Sequence, residues 1–175
     1  MDAENFSEID RGFMRQALAE AAEAGADDEV PAGAVLVSPD GLVAGRGRNR
    51  VIGLSDPTAH AEILAIRAAA AAAGNYRLTG SVLYSTLEPC PMCLMAAVHA
   101  RLGRIIFGAP EPRWGAAGSL VELASTPGLN HRLEIAGGLL AEECGGLISD
   151  FFKAKRRGAR PADGCGGPAL CRPER

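Results

Sequence analysis

Two short segments constrain this chain more than any others: Thr58-Ala59-His60-Ala61-Glu62 and, about thirty residues on, Glu88-Pro89-Cys90-Pro91-Met92-Cys93. Two cysteines three apart at the opening of a helix place both sulfurs on one face, and Pro91 suits a first turn where no amide donor is needed. The positive end of that helix favours thiolate, the form that binds metal. His60 adds an imidazole, giving three protein ligands. A structural zinc site is normally closed by four, whereas a catalytic one keeps a position for water. Glu62, two residues from the histidine, reaches the same pocket but is poorly placed as a fourth ligand, which leaves it free to shuttle protons. One zinc per chain on His60, Cys90 and Cys93 is therefore expected, with Glu62 as the catalytic acid and base.

A C-x-x-C pair alone also suits a redox motif or half of a structural zinc knuckle. Neither reading explains His60 and Glu62, and Cys165 and Cys171 are spaced too widely to supply a second pair. With Cys144 they are read as free thiols in a reducing compartment. His99 and His131 read as surface or satisfied polar residues. Glu88, directly before Pro89, reads as bracing a turn sooner than as a second acid. Trp114, the single tryptophan, lies in a Pro-rich loop.

At 175 residues and 47% hydrophobic content, the chain suits one compact enzyme domain, expected over 1–157. From 158 to 175 the composition turns to Gly, Pro, Ala and Arg, which predicts a flexible tail. No apolar run is long enough for a membrane span, and the first residues are acidic where a secretory signal would be basic then apolar, so a cytoplasmic protein is expected.

Helices are predicted over residues 7–24, 59–73, 90–101 and 139–157, and strands over 33–37, 42–44, 81–87, 104–108 and 133–135, the first two joined by a turn at Ser38-Pro39-Asp40-Gly41. Strands alternating with helices imply a largely parallel sheet with the opening hairpin antiparallel. The metal residues would then sit near strand carboxyl ends, where open α/β sheets bind ligands.

The net charge of −3 does not suggest a nucleic-acid binder, but its distribution is uneven. Residues 1–30 hold nine acids against two bases, whereas Lys153, Lys155, Arg156, Arg157 and Arg160 cluster near the end. Such a stripe can hold phosphates on an acidic protein. Arg46, Arg48 and Arg50 form a second basic set on alternate positions.

H-x-E together with P-C-x-x-C is the signature of zinc nucleobase deaminases, and the chain resembles that superfamily. More narrowly it is similar to the bacterial tRNA-specific adenosine deaminases. The likeness runs through Glu29-Val30-Pro31-Ala32-Gly33, Gly47-Arg48-Asn49-Arg50, Asn75-Tyr76-Arg77-Leu78, Gly115-Ala116-Ala117-Gly118-Ser119-Leu120, Asn130-His131-Arg132 and Ser149-Asp150-Phe151-Phe152. The resemblance implies a single-domain, three-layer α/β/α, cytidine-deaminase-like fold with a five-stranded mixed sheet flanked by helices. It implies conversion of the wobble adenosine to inosine in an arginine tRNA, by zinc-activated hydroxide attacking C6 of the unstacked base. It implies a homodimer whose loops hold the anticodon loop, with a pocket that includes Val30, Asn49, the backbone at Ala59, Phe151 and Phe152; Arg156 and Arg157 of the basic stripe, and Glu111 and Arg113 of the loop after residue 109, are further candidate substrate contacts. Where the family commonly has a Lys or Arg, an Asp and a small residue, this loop reads Ala109-Pro110-Glu111-Pro112-Arg113-Trp114. Two other classes share parts of this pattern. A deaminase of a free base such as guanine or cytosine would not need the basic stripe, and a non-catalytic RNA-binding subunit would not need Glu62.

Overall fold

A computed structural model describes residues 6–158 of the chain. The tail beyond Gly158, with Arg160, Cys165 and Cys171, lies outside the described residues. Helix α1 (Glu8–Ala26) starts at Ser7, which forms a reciprocal capping box with Asp10. The second carboxylate oxygen of Asp10 accepts the Tyr84 hydroxyl at 2.7 Å, so the helix start is pinned to the sheet. Strands β1 (Gly33–Val37) and β2 (Val43–Arg48) follow as a hairpin. Then come α2 (Ala61–Ala73), β3 (Val82–Leu87), α3 (Pro91–His99), β4 (Arg104–Ala109), β5 (Glu134–Gly137) and α4 (Ala141–Gly158).

The sheet order is β2-β1-β3-β4-β5. β1 is antiparallel to both of its neighbours, and β3, β4 and β5 are mutually parallel. The sheet is therefore less parallel than the alternation of elements predicts. The chain leaves β2, passes through α2 and enters on the far side of β1, so β1 alone runs against the other four. Alternate residues of each strand face opposite layers. Ala34, Leu36, Leu83 and Ile105 pack with α2 and α3, whereas Val35, Val37, Tyr84 and Ile106 pack with α1 and α4. Leu36, Leu83 and Ile105 are wholly buried, and each such side chain contributes roughly 1.5–3 kcal/mol by leaving water. Among the described residues no helix is long and apolar enough to cross a membrane.

β2 runs four residues past the predicted 42–44 because Gly45-Arg46-Gly47-Arg48 carries no apolar period. The alternation has a structural meaning all the same. A Cβ at Gly45 or Gly47 would collide with the carbonyl oxygen of Ala65 or Ala61, so only glycine lets α2 lie this close to the strand. The arginines face the other layer. Arg48 pairs with Glu23 at 3.1 Å, Asp27 at 3.3 Å and Glu20 at 3.9 Å, and Arg46 bonds Gln16, all on or beside α1. The basic set is thus divided: Arg48 faces the acids of the first helix, Arg46 meets its Gln16, and Arg50 lies in the exposed loop that follows.

Candidate active site

Because β2 and β3 run in the same direction on either side of β1, their carboxyl ends open on one edge of the sheet. The helices that follow them cover the same face, so two helix N-termini converge there. α2 starts at Ala61 and not at Ala59. The Ala59 N–H donates to the Asp56 carbonyl at 3.1 Å and its carbonyl accepts from Arg50 N–H at 3.0 Å, which holds it outside the helix and makes His60 the N-cap. Cys90 is the N-cap of α3, Pro91 its first residue, and Cys93 lies fully buried in its first turn. Neither His60 nor Cys90 caps its own helix with its side chain, so both are free to face a ligand.

His60 Nδ1 lies 3.7 Å from Cys90 Sγ and 3.6 Å from Cys93 Sγ, and the sulfurs are 3.6 Å apart. A disulfide needs about 2.05 Å. A tetrahedral zinc with sulfur at about 2.3 Å and nitrogen at about 2.0–2.1 Å sets sulfur–sulfur edges of about 3.8 Å and sulfur–nitrogen edges of about 3.6 Å. The three donors fit that ion. They form the only cluster of three or more metal-capable side chains among the described residues, and no Glu62 oxygen joins it. His99 is exposed and His131 Nε2 sits 2.6 Å from the Leu102 carbonyl oxygen, so neither belongs to the centre.

Glu62, in the first turn of α2, is 6% exposed. Its carboxyl lies within hydrogen-bonding reach of Cys93, beside the donor triangle and not in it. Burial pushes its pKa up to about 7, against which the positive charge of a bound ion would act. The hydrogen bond from Cys93 holds Cys90 down at about 4, and the same contact followed by burial pushes the Cys93 thiol far up. The Cys90 hydrogen bond raises His60.

Asn49 is buried at the end of β2, and its Nδ2 donates to Glu29 Oε2 at 3.2 Å. Glu29 Oε1 accepts the Gly53 N–H at 2.7 Å. Glu29, itself 3% exposed, therefore fixes both Asn49 and the loop after it. Sequence reading does not single it out. The one available signal is a carboxylate directly ahead of the Val30-to-Gly33 strand entry, and its burial against Asn49 depends on contacts between distant segments.

Glu88 has a bracing role. Its carboxylate accepts the Glu111 N–H at 3.0 Å, the Ala117 N–H at 2.9 Å, the Ser119 N–H at 3.1 Å and the Ser119 hydroxyl. Burial works to raise its pKa, but these bonds outweigh it and hold the carboxyl below its ordinary range. Glu111 Oε1 accepts the Arg113 N–H at 2.9 Å, closing its own turn, while Arg113 is exposed. Val30 and Phe151 are half-buried, and Phe152 is 41% exposed. In the basic stripe Lys153 pairs with Asp150 at 3.2 Å and Lys155 with Asp28, beside Glu29. Arg156 and Arg157 are exposed on the last turns of α4.

Fold and donor set together define a zinc-dependent deaminase. Residues 7–109 match the cytidine and deoxycytidylate deaminase zinc-binding region. The chain is 48% identical over 150 residues to the tRNA-specific adenosine deaminase of Haemophilus influenzae, covering 86% of this chain and 87% of that protein. It is 42% identical over 153 residues to the Bacillus subtilis tRNA-specific adenosine deaminase, covering 87% and 94%. A solved chain from work on A-to-I editing by tRNA:A34 deaminases at the wobble position of transfer RNA superposes with a TM-score of 0.75. That chain is 48% identical, and the match covers 78% of this chain and 98% of the solved one. The chain belongs to the tRNA-specific adenosine deaminases of the cytidine and deoxycytidylate deaminase family.

Proposed function

We propose that this protein hydrolyses the wobble adenosine of a tRNA anticodon loop to inosine, releasing ammonia. The observation that carries the reaction type is the three-donor centre with buried Glu62 beside it. The 48% identity to a tRNA-specific adenosine deaminase over most of both chains supports the substrate. A zinc ion on His60, Cys90 and Cys93 supplies a Lewis acid that brings the pKa of a water toward neutrality. Glu62 takes a proton from the attacking water and delivers it to N1 of the adenine. The hydroxyl now on C6 then gives its proton back to Glu62, which passes it to N6 as the C6–N6 bond breaks, so ammonia leaves, C6 keeps a carbonyl oxygen and one carboxyl serves each transfer. Asn49, held by Glu29, meets the base through the polar atoms that bond leaves over. The base must leave its stack to reach this edge of the sheet, which favours a single-stranded loop.

Assaying an anticodon stem-loop beside free adenine, guanine and cytosine tests the reading. Inosine in the stem-loop with little turnover of free bases is expected; brisk turnover of a free base with none of the stem-loop would replace it. A homodimer and a cytoplasmic location, supported by the resemblance, belong to the same proposal, and a solution mass of one chain would remove the dimer.

Phosphate contacts are assigned to Arg156 and Arg157, since Lys153 and Lys155 already face acids. Each phosphate neutralised on a single strand contributes roughly 0.7 to the slope of log affinity against log salt. Arg156→Ala with Arg157→Ala should therefore lower the slope for stem-loop binding by about one unit. An unchanged slope would reject the basic-helix contact.

A further inference from the structure

The chain's single tryptophan, Trp114, stands 66% exposed in the loop after β4. The ring is carried by a braced backbone. Pro110 and Pro112 stiffen the loop, and the Gly115 N–H donates to the Glu111 carbonyl at 2.7 Å, closing a turn around the tryptophan. Gly115 rests on the Glu88 carboxylate, where a Cβ would collide with it. The loop is also tied to the metal centre, because the Ala116 N–H donates to the carbonyl of Pro89, the residue before Cys90, at 2.9 Å. Trp114 is two residues from Ala116, a span of at most about 7 Å. The backbone that carries Trp114 is thus tied, through Ala116 and Pro89, to the segment that opens α3 at Cys90. Arg113, exposed beside it, offers a cation to a neighbouring phosphate.

Resting on the anticodon-loop reading, we propose that Trp114 is a stacking platform for the base flanking the one that enters the site. Swinging the target base out removes a stacking partner from its neighbour, and a rigid exposed indole replaces it. Stacking of this kind is tolerant of sequence, because every base has a π-face. It would give the protein a grip on the strand that zinc and Glu62, which act on the target base alone, do not provide.

Because Trp114 is the only tryptophan, the protein's own fluorescence reports on the contact. Stem-loop RNA added to the Glu62→Ala protein should quench the emission, and an abasic site at one flank of the target adenosine should abolish the quench. Trp114→Ala should weaken binding about five- to a hundredfold, and Trp114→Phe should keep most of it. Unmoved emission while the stem-loop binds and the wild type turns it over would overturn the platform and leave the substrate reading standing. Emission already blue-shifted in the free protein and insensitive to RNA would mark a ring covered by a second copy, and would overturn it equally. A stem-loop that neither binds nor reacts, beside rapid turnover of a free base, would overturn both.

Discussion

Glu62→Ala keeps fold and zinc but loses at least about 10²- to 10⁴-fold in single-turnover deamination of an anticodon stem-loop. The expectation comes from where the side chain sits. It is buried in the first turn of α2, two residues past His60, with its carboxyl beside Cys93 yet outside the donor triangle. No Lys or Arg pairs with it among the described residues, so its removal strands no buried cation of that kind and the fold should tolerate the change. Catalysis should not, because each proton movement of the reaction passes through this one group. Glu62→Gln, which keeps the shape and removes the transferable proton, should fall nearly as far. Zinc content measured on the same preparations separates a chemical defect from a lost centre. Turnover within tenfold of wild type in either variant would place the shuttle elsewhere.

The parts of this molecule that were legible in its sequence are those whose cause is local. His60, Glu62, Cys90 and Cys93 declare themselves by spacing, since the same short-range geometry that opens a helix sets which donors share a face. Most of the strands and helices follow from apolar period and from punctuation such as Ser7 ahead of α1 and Gly74, whose φ of 59° ends α2. The extension of β2 was illegible for a physical reason: its signal is glycine, and a glycine's value there lies in the helix that crosses it. The same holds for charge. Arg48 reads as a free cation until α1 lies across β2 and brings Glu20, Glu23 and Asp27 to it. Lys155 likewise meets Asp28 only once α4 has folded back against the end of α1. Glu29 and Asn49, twenty residues apart, are joined only by the fold. The fold thus ties Lys155 to Asp28 while a local helix pair ties Lys153 to Asp150, Arg156 and Arg157 stay exposed, and the zinc residues stay where their spacing put them.

The purified protein should carry one zinc per chain, and Cys90→Ala should lose it. Losing a group that merely orients a ligand costs metal affinity roughly 10- to 100-fold, and removing a ligand outright should cost more. Two donors remain in that variant, His60 Nδ1 and Cys93 Sγ, 3.6 Å apart, and two donors are too few for a site that normally needs three protein ligands and a water. The fold around Cys90 has other supports: its carbonyl still accepts the Leu94 N–H at 2.9 Å, and the Ala116 N–H still holds Pro89. α3 should therefore form in the variant. What disappears is the tie between the starts of α2 and α3, an interaction the folded state makes and the unfolded chain lacks, so zinc contributes stability by binding. A chelator should accordingly lower the melting temperature of the wild type and leave Cys90→Ala unmoved. Elemental analysis gives the decisive number: full zinc occupancy with retained activity in Cys90→Ala would remove this sulfur from the centre.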